Sequence, residues 1–386
     1  MRSRIAAAAG ALTLAAVVGL PAAPAYADGV RNDQWYLKSL NIAQAHALSK
    51  GSGVTVAVMD TGVYPHPDLK RNVLAGANFL PGGKGDGRTD PDGHGTNMAA
   101  LIAAYGKNGD SGVLGLAPSA KILPIKIADK GNALSLDGAI KGVGWAVDNG
   151  AKVINISAAT GPSAGLIDAV NDAIDDDVVV VASVGNTGQD SVIGYPAAIE
   201  GVIAVGAVDK SGNHASLSLI DKRVDICAPG VDITTAEPKD RYADADGTSL
   251  STAIVAGAVA LVRSKFPGMS GPEVVHRLEA TADDIGPAGR DDECGYGKLN
   301  VVKALTADVA PLGSASASAA APAASATGNG KAGYIDPAAT TAAAQPEADD
   351  AEPASSSTPL IFGVLAGLVV AGGVIALLVV RRRRSF

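Results

Sequence analysis

Short runs of β-branched and other apolar residues alternate along the middle of the chain with longer stretches of helical character. Strands that are apolar on both faces must be covered on both sides, and crossover helices join parallel strands. The pattern therefore predicts an α/β fold in three layers, with a mostly parallel sheet between helices. The predicted strands are 54–59, 122–126, 153–156, 178–182 and 203–208, and the predicted helices are 96–104, 136–149, 166–176, 249–265 and 270–281.

The first 27 residues have the three parts of a secretory signal peptide. Arg2 and Arg4 supply a positive start, residues 5–20 form an apolar run, and residues 25–27 have the small-x-small pattern of a cleavage site. A buried N-terminal helix is the alternative. We interpret residues 1–27 as a signal peptide, which predicts an exported protein.

The other end of the chain predicts a membrane anchor. Residues 360–380 carry no charge and no proline, followed by a tail, 381–386, that begins with four arginines. At about 1.5 Å per helical residue the apolar segment spans a hydrocarbon layer of about 30 Å, and the arginines stay on the cytoplasmic side. We therefore expect one transmembrane helix (360–380), a basic cytoplasmic tail (381–386) and the rest of the chain outside the cell membrane.

Composition divides the exported part into three regions. Residues 307–358 are rich in Ala, Ser, Pro and Thr, and such a segment cannot bury enough apolar surface to offset its ordering entropy. We expect this linker to be disordered. Residues 28–50 form a short N-terminal extension, and residues 51–306 form one body with a single large core.

The charge of the body argues against nucleic acid as a partner. Six of the 31 basic residues lie in the two terminal segments, which hold no acid, so the rest of the chain carries 25 basic residues against 39 acidic ones, a net charge of −14. Duplex binding needs clustered Lys and Arg side chains to displace counterions.

The chain has two cysteines, Cys227 and Cys294. In an exported protein an even number of cysteines favours a disulfide. Two separate buried thiols are the alternative. No cluster of His and Cys has the spacing of a metal site, so we predict no zinc site.

Three segments place reactive side chains where strands end or helices begin. Asp60 closes the first predicted strand, His94 lies between two glycines before a helix, and Ser249 opens the longest helix. The working groups of a parallel sheet gather at the carboxyl ends of its strands. A serine needs an adjacent base, an imidazole can take its proton near neutral pH, and a carboxylate holds the imidazole in the required tautomer. The order Asp, His, Ser is one of the known orders of such a triad.

Asn186, after the fourth predicted strand, adds a hydrogen-bond donor to this set. Its amide and the backbone N–H of Ser249 would both reach the oxyanion of a tetrahedral intermediate. Taken singly, Asp60 and Asn186 are turn residues, His94 a packed or surface histidine, and Ser249 a helix N-cap. Their joint placement favours one catalytic site. An aspartic protease needs a second Asp-Thr-Gly carboxylate, which the chain lacks.

At these residues the chain resembles the subtilisin-like serine proteases (subtilases, peptidase family S8). The resemblance covers about residues 35–306, and the matching segments follow the order of the family: 58–62 (VMDTG), 66–69 (HPDL), 93–96 (GHGT), 112–118 (GVLGLAP), 153–157 (VINIS), 185–186 (GN), 228–230 (APG) and 247–249 (GTS).

The resemblance implies a serine endopeptidase that works through an acyl-enzyme and needs no cofactor. Asp60 would orient His94, His94 would act as base and then acid, Ser249 would be the nucleophile, and Asn186 would complete the oxyanion hole. The substrate-binding positions that the resemblance implies are Ser157, Ala158, Ala159, Ser183, Val184 and Gly185.

Three alanines depart from the pattern of the family. Ala253 stands where proline is usual, and Ala is a good helix former. Ala100 and Ala159 stand where glycine is common, and the methyl group of Ala159 would narrow the pocket or hinder the substrate backbone.

The order of segments is most similar to that of the mycosins, membrane-anchored subtilases associated with type VII secretion. The extension 28–50 is too short for the folded inhibitory pro-domain of secreted subtilisins. The expected partners are a protein or peptide substrate, the membrane through the C-terminal helix, and the type VII machinery. The alternative is a scaffold or binding component of a membrane secretion complex with a weak or vestigial active site.

The sequence leaves open whether the protein binds a structural calcium ion. The loop 106–111 matches a place where many subtilases bind calcium, and the loop 86–97 loosely resembles a cation loop. Arg88 occupies a ligand position there, however, and Asn97 replaces the closing glutamate. A solvated loop without a metal is the favoured alternative.

Overall fold

The computed structural model describes residues 27–107, 111–130 and 134–312, in which strands and helices alternate as the sequence predicts. The described strands are β1 (Thr55–Asp60), β2 (Ala77–Asn78), β3 (Tyr105–Lys107), β4 (Ser111–Leu114), β5 (Lys121–Lys126), β6 (Val153–Ile156), β7 (Val179–Ser183), β8 (Ile203–Val208), β9 (Ile226–Pro229), β10 (Ile233–Glu237) and β11 (Arg241–Ala245). The described helices are α1 (Ala27–Asp33), α2 (Trp35–Ser39), α3 (Ile42–Leu48), α4 (His94–Ala103), α5 (Leu136–Asp148), α6 (Ala164–Asp175), α7 (Thr248–Lys265), α8 (Gly271–Ala280) and α9 (Val301–Thr306).

The largest sheet is parallel throughout, in the order β2-β5-β1-β6-β7-β8-β9. The chain runs outward from β1 in both directions, because β5 pairs with one edge of β1 and β6 with the other. Such a change of direction leaves a crevice at the carboxyl ends of the strands. Asp60, the last residue of β1, lies at this crevice.

Alternate residues of β1 belong to two different cores, which confirms the predicted three layers. Val56 and Val58 pack in the core that holds α4 and α7, whereas Ala57 and Met59 pack in the core that holds α5 and α6. Successive strand side chains point to opposite faces of a sheet, so both faces of β1 are buried. The five predicted strands and five predicted helices correspond to β1, β5, β6, β7 and β8 and to α4, α5, α6, α7 and α8.

The helix that carries Ser249 is the central helix of the body. Helix α7 contacts β1, β6, β7, β8 and β9, and almost every residue from Thr248 to Arg263 is buried. A helix that is apolar all round needs such an environment. Ala253, where proline was the expected residue, is completely buried within α7.

The N-terminal extension packs against the body, which the sequence did not predict. Helix α1 contacts β4, and the side-chain amide of Gln34 exchanges two hydrogen bonds with the backbone of Leu114, at 3.0 and 2.8 Å. Tyr36 is completely buried, and its hydroxyl donates to the carbonyl oxygen of Thr234 at 3.1 Å. These contacts join the extension to segments about 80 and 200 residues away in sequence.

Several predicted segments lie outside the described residues. They are the signal peptide 1–27 except Ala27, the linker 307–358 beyond residue 312, the transmembrane segment 360–380 and the tail 381–386. Within the part of the chain that the structure describes, no helix is both long enough and apolar enough to cross a membrane. The four assignments stay predictions.

Cys227 and Cys294 form a disulfide, with their Cα atoms 5.1 Å apart. Cys227 lies on β9, the edge strand of the parallel sheet, and Cys294 in the loop before α9. Both residues are buried. The disulfide therefore fastens the C-terminal segment of the body to the edge of the sheet.

We expect replacement of both cysteines by alanine to lower the free energy of unfolding by about 4 kcal/mol, because a crosslink over a loop of 67 residues restricts the unfolded chain. Urea unfolding of the variant and of the oxidised wild type measures the difference. Equal midpoints and slopes for the two proteins would contradict the expectation.

Candidate active site

The four predicted catalytic residues lie at strand ends and helix starts, as expected. Asp60 ends β1, His94 is the first residue of α4, Ser249 lies in the first turn of α7, and Asn186 follows β7. Gly95 allows α4 to approach the turn after β1, since a Cβ atom at this position would lie 2.0 Å from the carbonyl oxygen of Gly62. The chain therefore brings Asp60 and His94 together through backbone contact as well as through their side chains.

Asp60 and His94 form a close pair. Nδ1 of His94 lies 2.8 Å from Oδ1 and 2.9 Å from Oδ2 of Asp60, whose side chain is 1% exposed. Oδ1 also accepts the backbone N–H of Thr61 at 2.7 Å. An ionised carboxylate only accepts hydrogen bonds, so Nδ1 carries a proton and Nε2 of the neutral ring is left as a base.

The electrostatic surroundings stabilise the protonated form of His94. Burial lowers the pKa of His94, but the negative charge of Asp60 and its hydrogen bond outweigh burial, and Asp92 and Asp90 act in the same direction. The resulting pKa lies above the ordinary value of 6.5. The side chain is 21% exposed, so the ring stays accessible from the crevice.

A second carboxylate, that of Asp90, joins the turn after β1 to the start of α4. It is almost fully buried, and Oδ1 accepts the hydroxyl of Thr61 at 2.8 Å and the N–H of Gly93 at 2.9 Å. Oδ2 accepts the N–H and the hydroxyl of Thr96, at 2.9 and 2.5 Å. The hydroxyl of Thr61 in turn accepts the N–H of Gly95 at 3.0 Å. Asp90 thus fixes both segments that carry the Asp60–His94 pair.

A buried lysine supports the same turn from the neighbouring strand. Lys126 pairs in register with Asp60, and its ammonium group donates to the carbonyl oxygens of Thr61 and Ala128 at 2.7 and 3.1 Å. Asp129, 3.8 Å away, is its ion-pair partner. The backbone after Asp60 is therefore held from two sides.

The hydroxyl of Ser249 points toward β6 in this structure. Its Oγ donates to the carbonyl oxygen of Ser157 at 3.2 Å, and Oγ of Ser157 donates to the carbonyl oxygen of Ser249 at 3.2 Å. Asn155 donates to Oγ of Ser157 at 3.2 Å. The described contacts of Ser249 include no hydrogen bond to His94.

Asn186 is oriented by the first residue of α7. Its Oδ1 accepts the N–H and the hydroxyl of Thr248, at 3.0 and 3.2 Å. With the oxygen engaged there, the Nδ2 group keeps both donors for another acceptor. Asn186 thereby lies beside the N-terminus of α7, where Ser249 also has its backbone N–H.

A cavity of about 250 Å³ opens next to Ser249. Its wall includes five of the six predicted substrate-binding residues together with Ser249, Asn186, Gln189 and Asp190. Val184 is the exception, because its side chain is 1% exposed in the core beneath the cavity and its N–H donates to the carbonyl oxygen of Val205. Its predicted role in substrate binding stays a prediction. The five residues in the wall are Ser157, Ala158, Ala159, Ser183 and Gly185.

The two loops with a calcium expectation use their polar groups in contacts within the chain. The Arg31 guanidinium donates to the carbonyl oxygens of Gly112 and Ser111, at 2.9 and 3.1 Å, next to the loop 106–111. In the loop 86–97, Asp86 pairs with Arg88. Among the described residues no group of three or more His, Cys, Asp or Glu side chains could hold a metal ion. The structural calcium ion stays a prediction.

Sequence reasoning missed Asp90, Thr248 and Asp190 as parts of the site. Asp90 lies within the loop 86–97, and an acid four residues before His94 is a usable signal. Thr248 belongs to the Gly-Thr-Ser segment 247–249, but its hydrogen bonds to Asn186 depend on the fold. Asp190 is exposed, and no motif marks it as part of a cavity wall.

Comparison with known proteins agrees with this fold and site. The model of the subtilase family, Peptidase_S8, matches residues 51–297. Subtilisin Savinase from Lederbergia lenta is 42% identical over 254 residues, which cover 65% of this chain and 92% of that protein.

Two solved structures are also similar. MycP3 protease from the type VII (ESX-3) secretion system has 33% identity and a TM-score of 0.61, with 71% of this chain and 88% of that chain covered. MycP1 from Mycobacterium smegmatis has 29% identity and a TM-score of 0.62, with 72% and 85% covered.

These matches define the class of protein as an α/β serine peptidase with a subtilisin-like fold. The chain belongs to the subtilase family, peptidase family S8. Its structural neighbours include mycosins as well as subtilisins.

We expect Asp90→Asn to lower the free energy of unfolding by about 3 kcal/mol, because the amide can accept fewer of the four hydrogen bonds and leaves buried donors without partners. Asp92→Asn is the matched control, since this neighbouring aspartate is exposed, and we expect a change below about 1 kcal/mol. Chemical unfolding of the two variants measures both values. Equal losses would contradict the role assigned to Asp90.

We expect Asp60→Asn to lower the pKa of His94, because the substitution removes the negative charge that opposes the effect of burial. An NMR titration, assigned with His94→Gln, measures this pKa. The raised pKa also has a consequence for stability: the ion pair stabilises the fold below about pH 6.5, and the contribution is lost as the pH rises through the pKa of His94. An unchanged titration of His94 in Asp60→Asn would contradict this account.

Proposed function

We propose that this chain is an extracytoplasmic, membrane-anchored serine endopeptidase that cleaves protein substrates through Asp60, His94 and Ser249. The observation that carries the proposal is the Asp60–His94 pair. Both carboxylate oxygens of Asp60 lie within 2.9 Å of Nδ1, which leaves Nε2 as the base at the sheet edge where Ser249 begins a helix.

The first step is a rotation of the Ser249 side chain. Its hydroxyl leaves the carbonyl oxygen of Ser157 and turns toward Nε2 of His94, a change of one side-chain torsion. Catalytic hydrogen bonds are often absent or long in a structure without substrate and form only in the complex. Nε2 then takes the proton of Ser249 while Oγ attacks the carbonyl carbon of the peptide bond, and Asp60 stabilises the imidazolium.

The oxyanion of the tetrahedral intermediate would be bound at the N-terminus of α7. Nδ2 of Asn186 and the backbone N–H of Ser249 are the two donors, and Thr248 holds the amide of Asn186 in this orientation. Because these donors are held in place before the reaction, they need to move little when negative charge develops on the substrate oxygen.

Collapse of this intermediate completes acylation. The C–N bond breaks, His94 gives its proton to the leaving amine, and Ser249 is left as an ester of the acyl group. Water then attacks the ester carbon as His94 takes one of its protons. When this second tetrahedral intermediate collapses, the bond between Oγ and the acyl carbon breaks, His94 returns the proton to Oγ of Ser249, and the carboxylic acid product leaves. These residues supply every proton transfer, so the proposed reaction requires no cofactor.

The wall of the cavity would bind the substrate next to the cleaved bond. Residues 157–159, Ser183 and Gly185 line the cavity together with Ser249. The methyl group of Ala159 lies near Gly194, where a Cβ atom would come within 2.8 Å of it. Ala159 also lies in the cavity wall, where its methyl group would take up space that a glycine leaves open.

The location and the association with type VII secretion are parts of the proposal. The signal peptide 1–27 and the apolar segment 360–380 support an anchored protein with its catalytic domain outside and its C-terminal tail in the cytoplasm. The similarity to MycP1 and MycP3, described as type VII secretion proteases, supports a role at that machinery.

A scaffold function without efficient catalysis is the second candidate. The hydrogen bond of Ser249 to Ser157, instead of to His94, and the methyl group of Ala159 in the cavity wall favour it. A peptidase needs the hydroxyl group of Ser249 for its role in secretion, whereas a scaffold does not. Full restoration of secretion in a deletion strain by Ser249→Ala would favour the scaffold.

We expect Ser249→Ala to lower the cleavage rate of an unfolded protein substrate at least about 1,000-fold, because the nucleophile is removed. Ser264→Ala, near the other end of α7, is the matched control and keeps the wild-type rate. Both variants are measured with their free energies of unfolding, and we expect Ser249→Ala to lose less than about 1 kcal/mol. Cleavage by well-folded Ser249→Ala at the wild-type rate would rule out the mechanism.

A further inference from the structure

The cavity beside Ser249 has one charged side chain in its wall, that of Asp190. The other side chains in the described wall are small or polar: alanines, serines and two amides. An apolar substrate side chain would find few large apolar partners there. The wall therefore favours a polar occupant, and its charge favours a positive one.

The carboxylate of Asp190 is fixed in position by the loop that carries Asn186. Its Oδ2 accepts the N–H of Asn186 at 2.9 Å, and the N–H of Asp190 donates to the carbonyl oxygen of Asn186 at 2.9 Å. The side chain lies over Gly185, where a Cβ atom would come within 2.8 Å of Oδ2. Gly185 also has a φ of 101°. A glycine is therefore suited to this position for two reasons: it leaves room for the Asp190 carboxylate, and it adopts a positive φ without strain.

The second carboxylate oxygen of Asp190 is available to a ligand. Asp190 is exposed, and among the described residues its Oδ1 accepts no hydrogen bond and its carboxylate forms no ion pair. A carboxylate that is anchored through one oxygen and open at the other is suited to an ammonium or guanidinium group. No Lys, Arg or His side chain lies in the described wall to neutralise it.

We propose that Asp190 makes this peptidase select a lysine or arginine side chain immediately before the cleaved bond. The inference rests on the proposed function, because the cavity binds that substrate side chain only if Ser249 attacks the following carbonyl carbon. The long stem of such a side chain lies along the small residues of the wall, and its charged end meets Oδ1 of Asp190.

Matched peptides test the selection with the full-length protein. They share one sequence and differ at the position before the cleaved bond, which holds lysine, norleucine or glutamate. Norleucine has the length of a lysine stem without the charge. We expect wild type to have the highest kcat/KM for lysine and the lowest for glutamate, and Asp190→Asn to lower the lysine-to-norleucine ratio about fivefold.

Asparagine at position 190 keeps an oxygen that can accept the N–H of Asn186. A general change in rate affects the lysine and norleucine peptides equally, so their ratio of kcat/KM reports the loss of the charge alone. Asp168→Asn is the control, since Asp168 is exposed on α6 and is not part of the wall, and its ratio should equal that of wild type. A ratio that stays at the wild-type value in Asp190→Asn would overturn the inference.

A second measurement does not depend on the variant. The wild-type preference for lysine over glutamate should narrow as the salt concentration rises from 0.05 to about 0.5 M, because salt screens charge pairs near the surface. Equal or faster cleavage after norleucine and glutamate would also overturn the inference.

Active-site titration with a fluorophosphonate separates this inference from the proposed function. Ser249-dependent labelling without a preference for lysine leaves the proposed function in place and overturns the role of Asp190. Absence of such labelling in folded protein overturns both.

Discussion

The geometry of the site depends most on the hydrogen bonds that the buried carboxylate of Asp90 accepts. A buried charge is costly unless it is well paired, and Asp90 accepts four hydrogen bonds from three residues. Those donors come from the turn after β1 and from the first turn of α4, the two segments that carry Asp60 and His94. The distance between Asp60 and His94 is thus fixed by a neighbour that would touch no substrate.

The topology of the sheet supplies the rest of the arrangement. The strand order reverses at β1, so the carboxyl ends of β1, β6 and β7 lie at one edge of the sheet. The first turn of α7 meets this edge through the hydrogen bonds between Ser249 and Ser157. Hydrogen bonds within the protein already hold Asp60 against His94 and Asn186 against Thr248. The hydroxyl of Ser249 is the member that has to move, which makes its rotation the step that substrate binding would promote.

The alternation of apolar strands and helices was sufficient to predict the parallel sheet, its three layers and the sheet edge that holds the site. It did not predict α1, α2 and α3, because each is short and stabilised by distant partners such as Leu114 and Thr234. The contacts of Asp90 and Asp190 also escaped prediction, since both are loop aspartates without a distinguishing local pattern, although Asp90 is buried and Asp190 is exposed. For Val184, neighbouring positions in the sequence gave no indication that its side chain faces the core.

Mapping of the residue that reacts with a fluorophosphonate tests the central claim most directly. After labelling of the folded full-length protein, tryptic digestion gives one peptide, residues 242–263, that contains Ser249, and fragment masses locate the adduct within it. The account predicts one phosphonyl group on Oγ of Ser249 and a labelling rate that increases with pH as His94 loses its proton. Folded protein that acquires no adduct, or acquires it on another residue, would contradict an assembled and activated nucleophile.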